Sequence, residues 1–140
     1  MDVRQENVTG SARINPLLAG PILNLTAENI EQTLSLSLPL LLDFWAPWCQ
    51  PCRQLEPLIR QLQSRYAQHL VIAKINVDMQ QAIARRFAVR SIPSLILLKD
   101  QQEILRLVAG EYTYPQLVAE LDPYLPEFFP ESDAMVSAPS

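Results

Sequence analysis

Two cysteines separated by two residues are the most chemically reactive feature of the sequence. The chain contains 2 Cys, and both lie in the segment Trp48-Cys49-Gln50-Pro51-Cys52. If Cys49 caps the N-terminus of a helix, Cys52 is the third helical residue, and its backbone N–H can donate to the Cys49 sulfur. The helix dipole favours negative charge at the same place. This arrangement predicts a stabilised thiolate on Cys49, with a second thiol one turn further on.

Thiol–disulfide exchange is the chemistry that such a pair can perform. Only a thiolate attacks a disulfide, and a cysteine at a helix N-terminus within a Cys-x-x-Cys motif characteristically has a lowered pKa. We therefore interpret Cys49 as the nucleophile. Cys52 is within reach of the mixed disulfide that Cys49 would form, so we interpret it as the resolving thiol. Pro51 fits the first helical turn because its missing N–H would have had no partner there.

Two other uses of the cysteine pair fit the sequence less well. A closed structural zinc site needs four ligands, and the chain has 2 Cys and 1 His, so we assign no metal. The single histidine, His69, lies at a predicted helix–strand junction and receives no role. A purely structural disulfide across so short a loop would remove little entropy from the unfolded chain. Both uses remain alternatives to a redox pair.

Composition and charge narrow the classes of protein. A chain of 140 residues with 49% hydrophobic residues has the size of one domain with one core. Its net charge of -4 offers no basic surface for nucleic acid or for an anionic membrane. The longest apolar run, at 38–49, is too short to span a bilayer. The N-terminus is a poor secretory signal, so we expect a cytoplasmic protein with no nucleic-acid or membrane partner.

Hydrophobic periodicity predicts the elements that position the pair. Nearly continuous apolar runs at 40–45, 70–77 and 95–98 suit strands that are covered on both faces. Apolar residues on one helical face predict a long helix from about Cys49 to Gln68. The complete predicted order is β-α-β-α-β-α-β-β-α. It corresponds to an α/β fold with a central mixed sheet of four to five strands and helices on both faces.

Local signals predict where several elements begin, bend and end. Thr26 is expected to cap the first helix, and Asp78 with Gln81 is expected to cap a short helix after the third strand. Pro57 is expected to kink the long helix because it has no N–H to donate to the carbonyl of Arg53.

The two ends of the chain carry little periodicity. We interpret residues 1–20 as an N-terminal extension and residues 126–140 as an acidic, proline-containing C-terminal tail. Residues 21–125 are then the folded domain.

Further landmarks stand in a fixed order around the cysteine pair. They are Asp43-Phe44-Trp45-Ala46 before the pair, then Pro57, Ile92-Pro93-Ser94 and Gly110 after it. In order and spacing the chain resembles the thioredoxin family, over roughly Leu25 to Tyr124. The resemblance implies a thioredoxin fold and reversible dithiol–disulfide exchange with protein substrates. It also implies that electrons pass through the Cys49–Cys52 disulfide without a bound cofactor, and that a thioredoxin reductase is a partner.

One acid and one lysine are candidates for proton transfer. Asp43 lies inside an apolar strand, where desolvation should raise its pKa and keep it available near neutral pH. Asp43 is therefore the candidate base for Cys52. Lys74, inside the neighbouring apolar strand, resembles the lysine that family members place near this acid. A buried ion pair without catalytic value is the alternative for both residues.

A peptide groove beside the pair is a further implication of the resemblance, which identifies Ile92–Pro93 as the family's cis-proline loop. With that bond cis, the backbone of Ile92 can pair with an extended substrate. Trp48 is interpreted as part of an apolar rim, with simple packing as the alternative. The candidate substrate-binding residues are Trp48, Gln50, Pro51, Ile92, Pro93 and Gly110.

Two positions depart from the family's pattern. Gln50 replaces the usual glycine, and Gln101-Gln102 replaces the Asn-Gly-like turn expected between the last two strands. Gln50 is also similar to the residue of chaperone-type bacterial thioredoxin-like proteins. The alternative function is therefore a chaperone or peptide-binding module with secondary redox activity. A third possibility, an oxidase or isomerase of an oxidising compartment, is opposed by the poor secretory signal.

Overall fold

A five-stranded mixed sheet organises the computed structural model, which describes residues 22–108 and 110–125. The elements are β1 (Leu23–Asn24), α1 (Ile30–Leu34), β2 (Leu40–Trp45), α2 (Gln50–Arg65), β3 (Val71–Asn76), α3 (Gln81–Arg86), β4 (Ser94–Lys99), β5 (Gln102–Val108) and α4 (Tyr114–Leu121), then a 3-10 turn at Asp122–Tyr124. The predicted order of helices and strands is confirmed. The predicted extension 1–20 and tail 126–140 lie outside the described residues.

Strand β2 lies at the centre of the sheet. The strand order is β1-β3-β2-β4-β5. β2 pairs with β3 in parallel and with β4 antiparallel, while β1 pairs in parallel with β3 and β5 pairs antiparallel with β4. The carboxyl end of β2 leads directly into α2. The residues at the start of α2 therefore follow the central strand of the sheet.

Two apolar layers cover the two faces of this sheet, as the continuous apolar runs predicted. Leu41 packs in the layer with α2 and α4, whereas Leu42 and Phe44 pack in the layer with α1 and α3. Because side chains alternate along a strand, Asp43 and Trp45 project to the same face as Leu41. Asp43 is thus placed between the sheet and α2, on the face that also receives the buried side of the long helix.

The first helix begins later than predicted, and Thr26 does not cap it. Asn29 stands at the N-cap position, and α1 begins at Ile30. The Asn29 Oδ1 accepts a hydrogen bond from the Thr26 N–H at 2.8 Å, and the Thr26 Oγ1 accepts one from the Glu28 N–H at 3.3 Å. Thr26 is used in a turn that precedes the helix.

The long helix is shorter than predicted. α2 spans Gln50–Arg65, and the N–H of Tyr66 still donates to the carbonyl of Leu62 at 2.9 Å. Gln68 has a φ of 68°, which takes the chain out of the helical conformation before β3. Pro57 lies inside the helix, and the kink that it is expected to cause stays a prediction.

The turn between β4 and β5 lies one residue earlier than predicted. Lys99 pairs with Gln102 across the hairpin, so the loop consists of Asp100 and Gln101. Their φ angles are 53° and 64°, as in the type I′ turn that matches the twist of two antiparallel strands. Gln102 is consequently the first residue of β5 and not part of the turn.

Candidate active site

The two cysteines stand at the start of α2, as predicted. Cys49 is the N-cap residue, and its sulfur accepts a hydrogen bond from the backbone N–H of Cys52 at 3.2 Å. The two residues form a disulfide, with their Cα atoms 5.3 Å apart. Pro51 occupies the first turn, where no carbonyl requires its missing N–H. When the disulfide is reduced, the same N–H and the helix dipole stabilise negative charge on Cys49.

The cysteine pair is enclosed by apolar side chains on its inner side. Cys49 and Cys52 are buried together with Ala46. The partly buried side chains packed against this cluster are Trp45, Val77 and Ile92. The Ile92–Pro93 peptide bond is cis, as the resemblance implies. The fold thus brings the strand end, the helix start and the Ile92–Pro93 loop to one place.

Asp43 is an almost completely buried acid on the α2 side of the sheet. Only 3% of its surface is exposed, and within the described residues its Oδ1 atom has no hydrogen-bond partner. Burial raises the pKa of the Asp43 carboxyl from 3.8 to about 7; the positive charge of Lys74 opposes this rise and the negative charge of Glu56 adds to it. Near neutral pH, Asp43 can therefore exist in both protonation states.

Lys74 lies beside Asp43 but is bound by another acid. The two residues are directly in register across β2 and β3. The Lys74 ammonium forms an ion pair with Glu56 of α2 and lies 4.3 Å from the centre of the Trp45 ring. Sequence reasoning missed Glu56. The available signal was its position four residues after Cys52, which places both on one helical face.

The indole ring of Trp48 stands at the surface next to the pair. The side chain is 67% exposed, and its Nε1–H donates to the Asp78 Oδ2 at 2.8 Å. The prediction that Asp78 caps α3 is wrong. The N-cap is Gln80, and the Asp78 carboxylate is engaged by Trp48 instead. Because Trp48 and Asp78 are 30 residues apart in the sequence, no local sequence pattern predicted this contact.

The remaining predicted substrate-binding residues are Gln50, Pro51 and Gly110. Gln50 and Pro51 are exposed in the first turn of α2. Pro51, Gly110 and Tyr112 are among the residues that line a surface pocket of about 320 Å³. A Cβ atom on Gly110 would come within 3.1 Å of the Tyr112 ring, which favours a residue without a side chain there.

The part of the chain that the structure describes contains neither a cluster of metal-ligating side chains nor a membrane-spanning helix. There, no three His, Cys, Asp or Glu side chains are grouped so as to hold a metal ion. His69 is exposed just before β3. No helix among the same residues is long and apolar enough to cross a membrane.

The fold and the cysteine pair together define an enzyme class, the thiol–disulfide oxidoreductases that use a disulfide as their redox-active centre. The chain belongs to the thioredoxin family, because the family model described as Thioredoxin matches residues 21–123. Its mixed sheet with flanking helices is the thioredoxin fold. The predicted fold class and the predicted thiol–disulfide oxidoreductase activity are thereby confirmed.

Several thioredoxins are similar to this chain over most of their length. Thioredoxin 1 of Synechococcus elongatus is 36% identical over 95 residues, which is 68% of this chain and 88% of that protein. The thioredoxin of Mycobacterium bovis is 42% identical over 100 residues, or 71% of this chain and 85% of that protein. The structure of a mutant thioredoxin from Halobacterium salinarum NRC-1 has a TM-score of 0.66 and 31% identity, and covers 74% of this chain and 89% of its own.

Proposed function

We propose that this oxidoreductase reduces disulfide bonds of protein substrates, with Cys49 as the attacking thiolate, Cys52 as the resolving thiol and Asp43 as the proton acceptor for Cys52. The observation that carries the proposal is the hydrogen bond from the Cys52 N–H to the Cys49 sulfur at the start of α2. It distinguishes the two sulfurs, because Cys49 receives this donor at the helix end and Cys52 does not.

The first step is attack on the substrate. The Cys49 thiolate bonds to one substrate sulfur, and the substrate S–S bond breaks. The other substrate sulfur leaves as a thiolate and takes up a proton from solvent. A mixed disulfide between Cys49 and the substrate results, with no net change in the number of disulfides.

The second step releases the substrate. Cys52 transfers its proton to Asp43 and attacks the Cys49 sulfur, so that the mixed disulfide breaks. The second substrate sulfur leaves as a thiolate and takes up a proton. The products are the Cys49–Cys52 disulfide, which is the state of the described structure, and a substrate reduced by two electrons. A carboxyl with a pKa of about 7 suits this task, because a proton acceptor is most effective when its pKa is near the working pH.

The surface around the pair supports binding of an extended peptide. The exposed ring of Trp48 and the outer residues of α2 supply contacts on one side. The backbone of Ile92 next to Pro93 offers main-chain hydrogen bonds on the other side. The proposed substrate-binding residues are Trp48, Gln50, Pro51, Ile92, Pro93 and Gly110.

The proposed cellular setting follows from the family and the charge of the chain. Cys49–Cys52 is the only redox group that the reaction needs, so we propose no bound cofactor. A thioredoxin reductase would return the disulfide to the dithiol form. Because the chain is acidic, we propose neither nucleic acid nor an anionic membrane as a partner. We also propose a cytoplasmic location.

Insulin reduction tests the proposed function. The full chain should accelerate the precipitation of reduced insulin in the presence of dithiothreitol, and should also turn over with NADPH and a thioredoxin reductase. The matched control is the double variant in which Cys49 and Cys52 are both serine, which should match the rate without protein. A wild-type rate equal to that of the double variant would refute disulfide reduction as the function.

A further inference from the structure

Three side chains form a cluster between the sheet and α2, on the sheet face that carries Asp43. They are Lys74, Glu56 and Trp45. The Lys74 ammonium is ion-paired with the Glu56 carboxylate and lies 4.3 Å from the centre of the Trp45 ring. The Lys74 side chain is only 14% exposed, so water screens its charge incompletely. Asp43 is in register with Lys74 on the neighbouring strand. One ammonium group thus stands near two carboxylates and is bound by one of them.

The ion pair between Lys74 and Glu56 affects the proton affinity of Asp43. An opposite charge within about 4–6 Å lowers a carboxyl pKa by about 1–3 pH units, so a lysine paired with Asp43 alone would keep that carboxylate charged. Glu56 compensates the charge of Lys74 and also repels a negative charge on Asp43. On the other side of Asp43, its β4 partner is the uncharged Leu95. Among the described residues, Lys74 and Glu56 are therefore the charged groups that act on Asp43.

We propose that Glu56 is a positioning residue, whose carboxylate holds and neutralises the Lys74 ammonium beside Trp45 so that Asp43 can accept a proton near neutral pH. The proposal rests on the proton-accepting role proposed for Asp43. Glu56 acts through Lys74 and not on the sulfurs. Without Glu56, the ammonium is free to bind Asp43, which then stays charged and becomes a weaker proton acceptor.

Titration of Asp43 in a Glu56→Gln variant tests this coupling. The pH midpoint is read from the ¹³C chemical shift of the Asp43 carboxyl group in the oxidised full-length protein, in which the cysteines do not titrate. The midpoint is expected to fall by about one pH unit, because loss of a like charge and release of Lys74 both favour the charged carboxylate. The matched control, Glu31→Gln, makes the same charge change and breaks an exposed ion pair with Arg86, and should leave the midpoint unchanged.

A second substitution separates positioning from direct repulsion. Lys74→Met alone is expected to raise the Asp43 midpoint. If Glu56 acts through Lys74, the fall caused by Glu56→Gln should be clearly smaller in the Lys74→Met background than in wild type. Glu56→Ala removes the same charge and should reproduce the fall if the glutamine variant does not fold. Equal falls in both backgrounds, or a midpoint that stays or rises without Glu56, would overturn the proposal.

Exchange kinetics distinguish a failure of this proposal from a failure of the proposed function. The rate at which Cys52 releases the mixed disulfide should follow the Asp43 titration, and its pH profile should move down with Glu56→Gln. A lowered Asp43 midpoint with an unmoved rate profile would support the action of Glu56 on Asp43 through Lys74. The same result would show that Asp43 is not the proton acceptor for Cys52. An unmoved midpoint with a normal wild-type rate profile overturns the positioning role and leaves the proposed function standing.

Discussion

Replacing Asp43 by asparagine is expected to stabilise the protein above pH 7 and to change its stability little near pH 4. Because burial raises the pKa of Asp43 from 3.8 to about 7, the folded protein holds a proton between these values that the unfolded chain has released. Wild-type stability therefore falls as the pH rises through this window and is constant above it. At about 1.36 kcal/mol per pH unit, we expect asparagine to recover about 2–4 kcal/mol.

Denaturant unfolding of the oxidised protein across this pH window measures the effect. The matched control is Asp100→Asn, since Asp100 is exposed in the β4–β5 turn and asparagine tolerates its positive φ. The control should keep the pH dependence of the wild type, whereas Asp43→Asn should lose the fall between pH 4 and 7. Parallel stability profiles for wild type and Asp43→Asn would contradict a buried, titrating Asp43.

The same asparagine substitution is expected to slow release of the mixed disulfide. Loss of the proton acceptor for Cys52 should reduce that rate by about 100-fold near pH 7, which is the low end of the range for general-base catalysis. Stopped-flow fluorescence can follow the step, because Trp45 packs against the cysteine cluster. Equal rates for wild type and Asp43→Asn from pH 6 to 8 would exclude Asp43 as the proton acceptor.

Serine substitutions at the two cysteines are expected to have the largest effect on activity, and the effects should differ in kind. Cys49→Ser should reduce insulin reduction to the rate without protein, because no thiolate remains at the N-cap. Cys52→Ser should still attack the substrate but cannot release it, so a covalent complex through Cys49 should accumulate. Mass spectrometry of non-reduced samples detects that complex.

The sequence makes this test unambiguous. The chain contains 2 Cys, so the complex trapped by Cys52→Ser can form only through Cys49. The double serine variant is the control for non-covalent binding and should give no complex that dithiothreitol releases. A trapped complex with Cys49→Ser and none with Cys52→Ser would reverse the proposed roles.

The elements were predictable because their signals are local. The apolar run of β2 is buried on both faces, so its composition alone distinguished it from an exposed strand. The position of Cys49 at a helix start follows from a spacing of three residues, which one turn of helix determines. The turn at Asp100 was misplaced because neither it nor Gln101 is a glycine or asparagine, and the strand pairing alone fixes the positive φ angles there.

The electrostatic surroundings of the site were less predictable because they depend on the packing of distant elements. Glu56 is followed four residues later by Arg60, and in the sequence the two look like an ordinary exposed helix pair. Only the parallel register of β2 and β3 brings Lys74 under α2, where Glu56 binds it. Likewise, the local sequence predicted Asp78 as a helix cap, whereas in the folded protein its carboxylate accepts a hydrogen bond from Trp48.

Selective alkylation tests the central assignment, that Cys49 is the attacking thiolate, most directly. The reduced full-length protein is treated at neutral pH with less than one equivalent of iodoacetamide, and the labelled peptides are identified by mass spectrometry. We predict that the label is found on Cys49, because its sulfur accepts the Cys52 N–H at the N-terminus of α2. Preferential labelling of Cys52, or equal labelling of the two cysteines, would contradict the assignment.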